Sequence, residues 1–403
     1  MDTEELPFTP IAGIRLAATA AGIRYRDRDD LVLVELPPQG GCAATFTRNA
    51  FCAAPVILAR SHLAEATPRW WLINSGNANA GTGPRGLADA EASCQAVAEL
   101  TGGEPAQVLP FSTGVIGEHL PVARITAALP DLIAQLDPDG WPRAARAIMT
   151  TDTVPKLVSR RFQVAGHAAT LTGMAKGAGM ICPDMATLLA FLATDAAVDP
   201  TLLQRCLQDA MDGSFNAITV DGDTSTNDAC VLAATGALGN PRITDAGSPD
   251  GAAFRSALEA LCLDLATAIV RDAEGATKLV RVVVEGALDL GEARRVAYTI
   301  AHSPLIKTAL FASDPNWGRI LAAVGRAGLD ALQIDRVRIW LGPVLIVEAG
   351  GRAASYTEAA GAAVMRQPEI LIRVALGRGE VATQVLTCDL SYDYVRINAE
   401  YRS

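Results

Sequence analysis

The chain has 403 residues, enough for two or three domains or for one large composite domain. Hydrophobic residues make up 50% and charged residues 19%, which allows a sizeable core and argues against disorder. The formal net charge is −10 and no run of Lys or Arg occurs, so nucleic acid is a poor candidate partner.

The sequence also indicates the cellular compartment and the prospects for metal binding. Residues 1–7 are acidic and lack an apolar core, so we expect no signal peptide. No uncharged apolar stretch of about 18 residues occurs, so no membrane span is expected. The eight cysteines are scattered without a CxxC pair, which favours free thiols in a reducing cytoplasm. With four histidines and no HExxH, the sequence offers little for a metal to bind.

In the first half of the chain, short strands and helices alternate. Hydrophobic patterns predict strands at 31–35, 56–58, 70–73 and 161–173, and helices at 88–100 and 126–136. Gly102-Gly103 is expected to end the first of these helices.

The second half mixes the same two kinds of element. Patterns predict helices at 202–211, 254–270 and 304–327, the last interrupted at 314–316, and strands at 278–285, 337–341, 344–348, 370–375, 381–388 and 392–398. We therefore predict an α/β (α+β mixed) fold, a layered sandwich with mixed β-sheets flanked by helices and no clean linker between the halves.

Three glycine- or aspartate-rich motifs do not meet the requirements of the sites they suggest. Residues 81–86 match GxGxxG, but Pro84 and the distance from the preceding strand favour a turn-rich loop over a dinucleotide site. Residues 176–179 lack the GxxxxGK[ST] pattern of a phosphate loop. Residues 221–228 lack the glycine and glutamate of a calcium loop, so we expect a hydrogen-bonded turn that braces a site.

The most informative segment is 176–191, in which a glycine-rich, proline-marked stretch leads to Thr187 and an apolar, strand-like run. This layout suits a chain that cuts itself before Thr187. The freed residue would carry a hydroxyl nucleophile and an α-amine, which titrates near about 7.7–8.0 and can act as the base. The chemistry alone leaves open an ordinary threonine at the start of a buried strand.

Residues 176–195, KGAGMICPDMATLLAFLATD, resemble the cleavage region of the ornithine acetyltransferase family, the glutamate N-acetyltransferases of arginine biosynthesis. Further motifs resemble that family in its order along nearly the whole chain. They are FTRN (46–49), CAAPV (52–56), NSGNANA (74–80), STGVIG (112–117), TTDT (150–153), TVDGDTSTND (219–228), DPNWGR (314–319) and NAEYRS (398–403).

The resemblance implies self-cleavage between Ala186 and Thr187. It would give an α chain, 1–186, and a β chain, 187–403, which co-fold with the active site between them in a DmpA/ornithine acetyltransferase-like fold. Thr187 would carry the acetyl group as an ester. Thr113 and Gly114 match the pair that forms the oxyanion hole.

The resemblance also implies a set of substrate contacts, which are Thr153, Lys176, Thr187, Glu274, Asn398 and Ser403. By charge, Lys176 suits a substrate α-carboxylate and Glu274 suits the amine of an ornithine moiety. Simpler interpretations stay open: a surface lysine at Lys176, an acid near a helix end at Glu274, a structural turn at 113–114 and a frayed terminus at Ser403.

The implied reaction is ping-pong acetyl transfer from N2-acetyl-L-ornithine to L-glutamate in the cytoplasm. It requires no cofactor or metal, and acetyl-CoA stays open as a co-substrate. The family further implies an α2β2 heterotetramer. Two alternatives remain: an N-terminal-threonine amidohydrolase or aminopeptidase, and an uncleaved, inactive metabolite-binding protein.

Overall fold

The computed structural model describes residues 7–182 and 188–400. The predictions for Ala186, Thr187 and Ser403 therefore lie outside the described residues. The chain forms two compact units. The described parts of the first unit are 7–180, 188–216 and 223–269, and those of the second are 181–182, 217–222 and 270–400.

The first unit mixes strands and helices along the chain. In order, its elements are β1 (Arg15–Thr19), β2 (Leu31–Glu35), β3 (Gly41–Phe46), α1 (Ala54–Glu65), β4 (Trp70–Asn77), α2 (Gly83–Thr101), β5 (Val108–Val115), α3 (Val122–Ala134), α4 (Trp141–Ala147), β6 (Lys156–Val164), β7 (His167–Lys176), β8 (Leu189–Thr194), α5 (Pro200–Gly213), β9 (Ala229–Ala234) and α6 (Pro249–Arg271), whose last two residues group with the second unit.

Two mixed sheets form the centre of the first unit. The first sheet has the order β1-β2-β4-β5, in which only β4 and β5 are parallel. The second has the order β3-β9-β8-β7-β6, in which only β8 and β9 are parallel. Parallel neighbours bring their carboxyl ends to the same edge of a sheet.

The two sheets pack face to face. Phe191 of the second sheet lies between Trp71 and Phe111 of the first, with ring centroids 5.8 and 5.1 Å away. On β2, Val32 and Val34 join this inner core, because alternate residues of a strand point to opposite faces.

The outer faces of both sheets are covered by helices. Leu31 and Leu33 of β2 join a separate core with residues of α2 and α3. On the second sheet, a Cβ added at Gly173 would lie 3.0 Å from Leu261 of α6, so this helix packs closely on β7. The first unit is therefore a helix–sheet–sheet–helix sandwich, which confirms the predicted fold class.

The second unit is built on one six-stranded sheet. Its elements in order are β10 (Leu279–Ala287), α7 (Leu290–Ala301), α8 (Pro304–Phe311), α9 (Trp317–Gly325), β11 (Arg338–Leu341), β12 (Val344–Glu348), β13 (Gly351–Arg352), α10 (Glu358–Met365), β14 (Glu369–Ala375), β15 (Val381–Cys388) and α11 (Tyr392–Ala399). The sheet order is β13-β12-β11-β14-β10-β15. Its core includes residues of α7 and α9. Among the helices of residues 7–182 and 188–400, none has the length and apolar character needed to cross a membrane.

Two predicted strands are helical. The apolar run 56–58 lies inside α1, because Pro55 occupies the first turn, where its fixed φ suits a helix. The segment 392–398 lies inside α11, where the Ser391 hydroxyl accepts hydrogen bonds from the N–H groups of Asp393 and Tyr394. Short apolar runs do not by themselves separate the two kinds of element.

Two further predictions need correction. The single strand predicted at 161–173 is a hairpin of β6 and β7, which turns at Ala165 and Gly166 with φ of 48° and 81°. The GxGxxG segment is not wholly a loop, because α2 begins at Gly83, with Pro84 in its first turn.

Replacing Phe191 with alanine should remove the contact that joins the two sheets. We expect the free energy of unfolding to fall by about 3–5 kcal/mol. Phe51, which is 54% exposed in the same unit, is the matched control, and its alanine variant should change stability by no more than about 0.5 kcal/mol. Denaturant titration of both variants measures the difference. Equal losses would contradict this account of the core.

Candidate active site

The parallel strands β4 and β5 both end in small polar residues. Ser75 pairs with Thr113 and Gly76 with Gly114, and the register becomes irregular at Asn77. Gly114 has a φ of 137°, and an added Cβ would lie 2.2 Å from the carbonyl carbon of Gly76. Only glycine fits there, so the close strand pairing fixes the predicted oxyanion residues.

Lys176 is the last residue of β7 and is only 4% exposed. Its ammonium donates a hydrogen bond to Thr150 Oγ1 at 2.7 Å and lies 3.9 Å from Asp152 Oδ2. The interpretation as a surface lysine is therefore wrong. A buried ammonium requires compensating partners, and residues 150 and 152 supply them.

Asp152 is the anionic centre of this group. Its Oδ1 accepts hydrogen bonds from Lys156 Nζ and the Gly177 N–H, both at 2.7 Å. Burial alone would raise the pKa of Asp152, but the charges of Lys176 and Lys156 and the Gly177 hydrogen bond outweigh it and hold that pKa well below its usual value. Two ammonium groups around one carboxylate leave this trio positive, which suits an anionic substrate group.

A small cavity of about 10 Å³, roughly the space of one water molecule, adjoins Lys176. Both Lys176 and Thr113 line this cavity. Its lining is Thr113, Lys176, Leu188, Leu189, Ser225, Asn227 and Asp228. Leu188, which follows Thr187 directly in the sequence, lies in the wall of this cavity.

The loop before β9 braces the cavity. Asn227 Nδ2 donates hydrogen bonds to the carbonyls of Ala78 at 2.7 Å and Ser112 at 3.0 Å. The Ala53 N–H donates to the carbonyl of Thr226 at 2.9 Å. The predicted hydrogen-bonded turn is thereby confirmed, and one of its bonds fixes the residue before Thr113.

Asp228 is a buried carboxyl group on the cavity wall. Its Oδ1 accepts a hydrogen bond from the Leu188 N–H at 3.0 Å. Its Oδ2 is buried without a hydrogen-bond partner among the described residues. Burial raises the pKa of Asp228 well above its usual value. A neutral carboxyl group at this position can serve as both donor and acceptor.

In the second unit, Glu274 follows the end of α6 and is 9% exposed. Asn398 Nδ2 of α11 donates a hydrogen bond to Glu274 Oε2 at 2.8 Å. The loop that contains Glu274 packs closely on α11, because a Cβ added at Gly275 would lie 2.5 Å from the Tyr394 nitrogen. The structure thus joins two of the predicted substrate contacts.

Of the remaining predicted site residues, one is described and three are not. Thr153 is exposed and follows Asp152 directly. Ala186, Thr187 and Ser403 lie outside the described residues. Sequence reasoning missed Asp152, Lys156, Asn227 and Asp228 as members of the site. The motifs at 150–153 and 219–228 contained three of these four, but nothing in the sequence revealed their burial or partners.

A model described as the ArgJ family matches residues 15–403. This chain belongs to the ArgJ family. A relative named arginine biosynthesis bifunctional protein ArgJ, from Methylococcus capsulatus, is 61% identical over 399 residues, which cover 99% of this chain and 97% of the relative. A relative of the same name from Pseudomonas fluorescens is 54% identical over 394 residues, covering 98% and 97%.

A crystal structure of arginine biosynthesis bifunctional protein ArgJ from Bacillus halodurans is 42% identical to this ArgJ-family chain. It matches with a TM-score of 0.50 over 52% of this chain and 98% of that one. The predicted family is thereby confirmed, and with it an acyltransferase that serves arginine biosynthesis by acetyl transfer.

Replacing Asp152 with asparagine should leave two buried ammonium groups without their anion. We expect a loss of about 3–5 kcal/mol in the free energy of unfolding at pH 7. The Asp152 pKa is depressed by folding, so its contribution is present above the unfolded value and is lost on acidification. The difference in free energy of unfolding between wild type and variant should therefore decrease below about pH 4.

The matched control is Asp29→Asn, which breaks an exposed ion pair with Arg143 at 2.6 Å. Its cost should stay below about 1 kcal/mol. Denaturant titrations between pH 3 and 7 (about the range in which Asp titrates) give both numbers. A gap that is the same at all pH values would contradict the assigned charge of Asp152.

Proposed function

We propose that this chain transfers an acetyl group from N2-acetyl-L-ornithine to L-glutamate through an acetyl ester on Thr187, after cutting itself between Ala186 and Thr187. The observation that supports this most directly is the cavity that unites Thr113, Lys176 and Leu188. It places a hydroxyl and a cation beside the residue bonded to Thr187.

The cut is an acyl shift followed by hydrolysis. The Thr187 hydroxyl attacks the Ala186 carbonyl, the peptide C–N bond breaks, and the α-nitrogen of Thr187 takes up a proton. Water then cleaves the ester, which leaves a carboxylate on Ala186 and restores the hydroxyl. The products are the chains 1–186 and 187–403.

Acetyl transfer repeats this chemistry with a bound substrate. The freed α-amine accepts the proton of the Thr187 hydroxyl, whose oxygen attacks the acetyl carbonyl. Thr113 and Gly114 stabilise the oxyanion, the amide C–N bond breaks, and ornithine leaves with the proton. The neutral amine of glutamate then attacks the ester, the bond between the acetyl carbon and the Thr187 oxygen breaks, and a proton from the amine restores the Thr187 hydroxyl, which gives N-acetyl-L-glutamate.

Charge complementarity indicates which residues would bind each charged group of the substrate. The positive trio of Lys176, Lys156 and Asp152 suits the α-carboxylate, with Thr153 nearby in the chain. Glu274, held by Asn398, suits the side-chain amine of ornithine, and Ser403 completes the set that the family implies. The reaction needs neither cofactor nor metal in this scheme.

The two chains would remain one folded body after the cut. Strand β8 lies between β7 and β9, and β7 precedes the cut while β8 and β9 follow it. We therefore propose that the chains co-fold with the active site between them and assemble as α2β2. The eight free thiols are consistent with our placement of the enzyme in the cytoplasm.

The relatives are named bifunctional, and we extend that property to acetyl-CoA as a second acetyl donor. The competing amidohydrolase would use water as its acceptor. Comparing N-acetylglutamate formation with free acetate release, from either donor, separates the two. Acetate release as fast as transfer would favour the hydrolase.

Intact-mass analysis after brief exposure to N2-acetyl-L-ornithine should show two chains, with one acetyl group on the chain that starts at Thr187. Thr187→Ala should abolish both the cut and the acetylation, because it removes the nucleophile. Thr187→Ser keeps the hydroxyl and should still cut. Normal processing of the alanine variant would overturn the assignment, and a single uncut wild-type chain would favour the inactive binding protein.

Thr113→Val removes the hydroxyl of a buried residue while keeping its shape. We expect kcat to fall by about 10²–10³, with a smaller change in KM, because an oxyanion donor acts mainly in the transition state. Thr113→Ser retains the hydroxyl and should recover most of the rate. Steady-state kinetics on fully cut protein provide the comparison. Equal rates for the valine and serine variants would exclude the hydroxyl as a donor.

A further inference from the structure

One oxygen of the Asp228 carboxyl group is bonded and the other is not. Oδ1 accepts a hydrogen bond from the Leu188 N–H at 3.0 Å, and the backbone carbonyl of Asp228 accepts one from the Thr47 N–H at 2.9 Å. Asp228 is only 1% exposed, and its Oδ2 is buried without a hydrogen-bond partner among the described residues. An unbonded polar atom is costly to bury, so a ligand for Oδ2 would be stabilising.

The cavity beside Asp228 has the size of a single water molecule. Its volume is about 10 Å³, roughly what one water requires. A buried water also needs roughly two to four polar partners. Besides Asp228, the polar residues Thr113, Lys176 and Ser225 line the cavity, and all of them belong to the first unit. The cavity therefore meets both requirements of a water site.

Asn227, which also lines the cavity, braces its wall. Both Nδ2 protons are donated, to the carbonyls of Ala78 and Ser112, and Oδ1 accepts a hydrogen bond from the Thr226 hydroxyl. The Asn227 N–H donates to Ser225 Oγ at 3.0 Å. The hydrogen bonds of Asn227 therefore hold the wall in place, and other polar groups of the lining would bind a water.

We propose that the cavity binds one water molecule that joins Asp228 Oδ2 to the Thr113 hydroxyl, and that Asp228 is thereby a positioning residue for the oxyanion donor. The proposal rests on the proposed role of Thr113. The water accepts a hydrogen bond from Asp228 and donates one to Thr113 Oγ1. Thr113 then directs its own proton toward the oxyanion. No covalent bond changes and no proton is transferred in this arrangement.

The charges at the cavity favour this direction of the hydrogen bonds. Burial raises the pKa of Asp228 well above its usual value, although the charge of Lys176 acts in the opposite direction. This favours the protonated carboxyl group, which is the form that can donate. The Lys176 ammonium attracts the oxygen of the water and repels its protons. Hydrogen bonds in such a chain polarise one another, so Thr113 becomes a stronger donor.

A crystal structure of the wild-type enzyme tests the water directly. We expect one ordered water within about 2.6–3.2 Å of both Asp228 Oδ2 and Thr113 Oγ1. Asp228→Asn retains an amide that can donate to this water, so its crystal structure should show the water in the same place. Clear electron density for the cavity walls, with no water between these two side chains, would overturn the proposal.

Steady-state kinetics test the effect on catalysis. Asp228→Ala removes the donor to the water, and we expect kcat to fall by about fivefold to tenfold with little change in KM. Asp228→Asn keeps an acceptor for the Leu188 N–H and a donor for the water, so its kcat should stay within about twofold of wild type. Because Asp228 also binds Leu188, rates are divided by the fraction of cut chain, measured by intact mass.

The same substitution in a Thr113→Val background tests whether Asp228 acts through the Thr113 hydroxyl. Asp228→Ala should cause no further loss of kcat in that background, because the hydroxyl that it positions is already absent. A residue that supports only the fold would lower kcat by the same factor in both backgrounds.

The matched control is Asp195→Ala. Asp195 follows the far end of β8, and its Oδ1 also accepts a backbone N–H, that of Thr170, at 2.8 Å. Burial raises the pKa of Asp195 as well. This variant should lower the melting temperature yet leave kcat unchanged, so it measures the effect of lost stability alone.

An Asp228→Ala variant with wild-type kcat, or a loss that adds in full to that of Thr113→Val, overturns the water link and leaves the proposed function intact. Wild-type kcat in Thr113→Val instead overturns the oxyanion role in the proposed function, and the water link with it. If Asp228→Ala does not fold or is not cut, the wild-type crystal structure and the kcat of Asp228→Asn decide.

Discussion

Strand β8 is hydrogen-bonded on both sides, antiparallel to β7 and parallel to β9, and this pairing fixes the position of its first residue, Leu189. Phe191 on the same strand joins the two sheets of the first unit. The start of β8 is therefore fixed by the buried core between the two sheets.

Charge is distributed around this strand in an ordered way. Asp152 is held ionised by two lysines, whereas burial raises the pKa of Asp228 on the same cavity wall. In the second unit, Glu274 accepts a hydrogen bond from Asn398.

The sequence predicted the long helices 88–100 and 254–270 and short strands such as 31–35 and 344–348, but it assigned two other short segments wrongly. The helix 254–270 has enough periodic residues to identify it, and the strand that begins at Trp70 was identified by its continuous apolar run. The segments 56–58 and 392–398 have too few patterned residues to separate a strand from a helix. Pro55 in the first turn of α1 and the Ser391 cap of α11 favour a helix there. The turn at Ala165 and Gly166 divided a pattern that reads as one strand.

The site was predictable only where motifs are local. Thr113, Gly114 and Lys176 lie in motifs recognised along the chain, and the structure places Thr113 and Lys176 at one cavity, with Gly114 next to Thr113. The roles of Asp152 and Asn227 depend on partners between 24 and about 150 residues away, such as Lys176 and Ala78, so periodicity could not reveal them.

The central claim is that Thr187 is freed by cleavage and then carries the acetyl group. Its most direct test is tandem mass spectrometry of peptides from enzyme quenched during turnover of N2-acetyl-L-ornithine. The account predicts a peptide that begins at Thr187, with the acetyl group on its side-chain oxygen and lost on treatment with hydroxylamine. An acetyl group on another residue, or an intact peptide that spans residues 186 and 187, would contradict it.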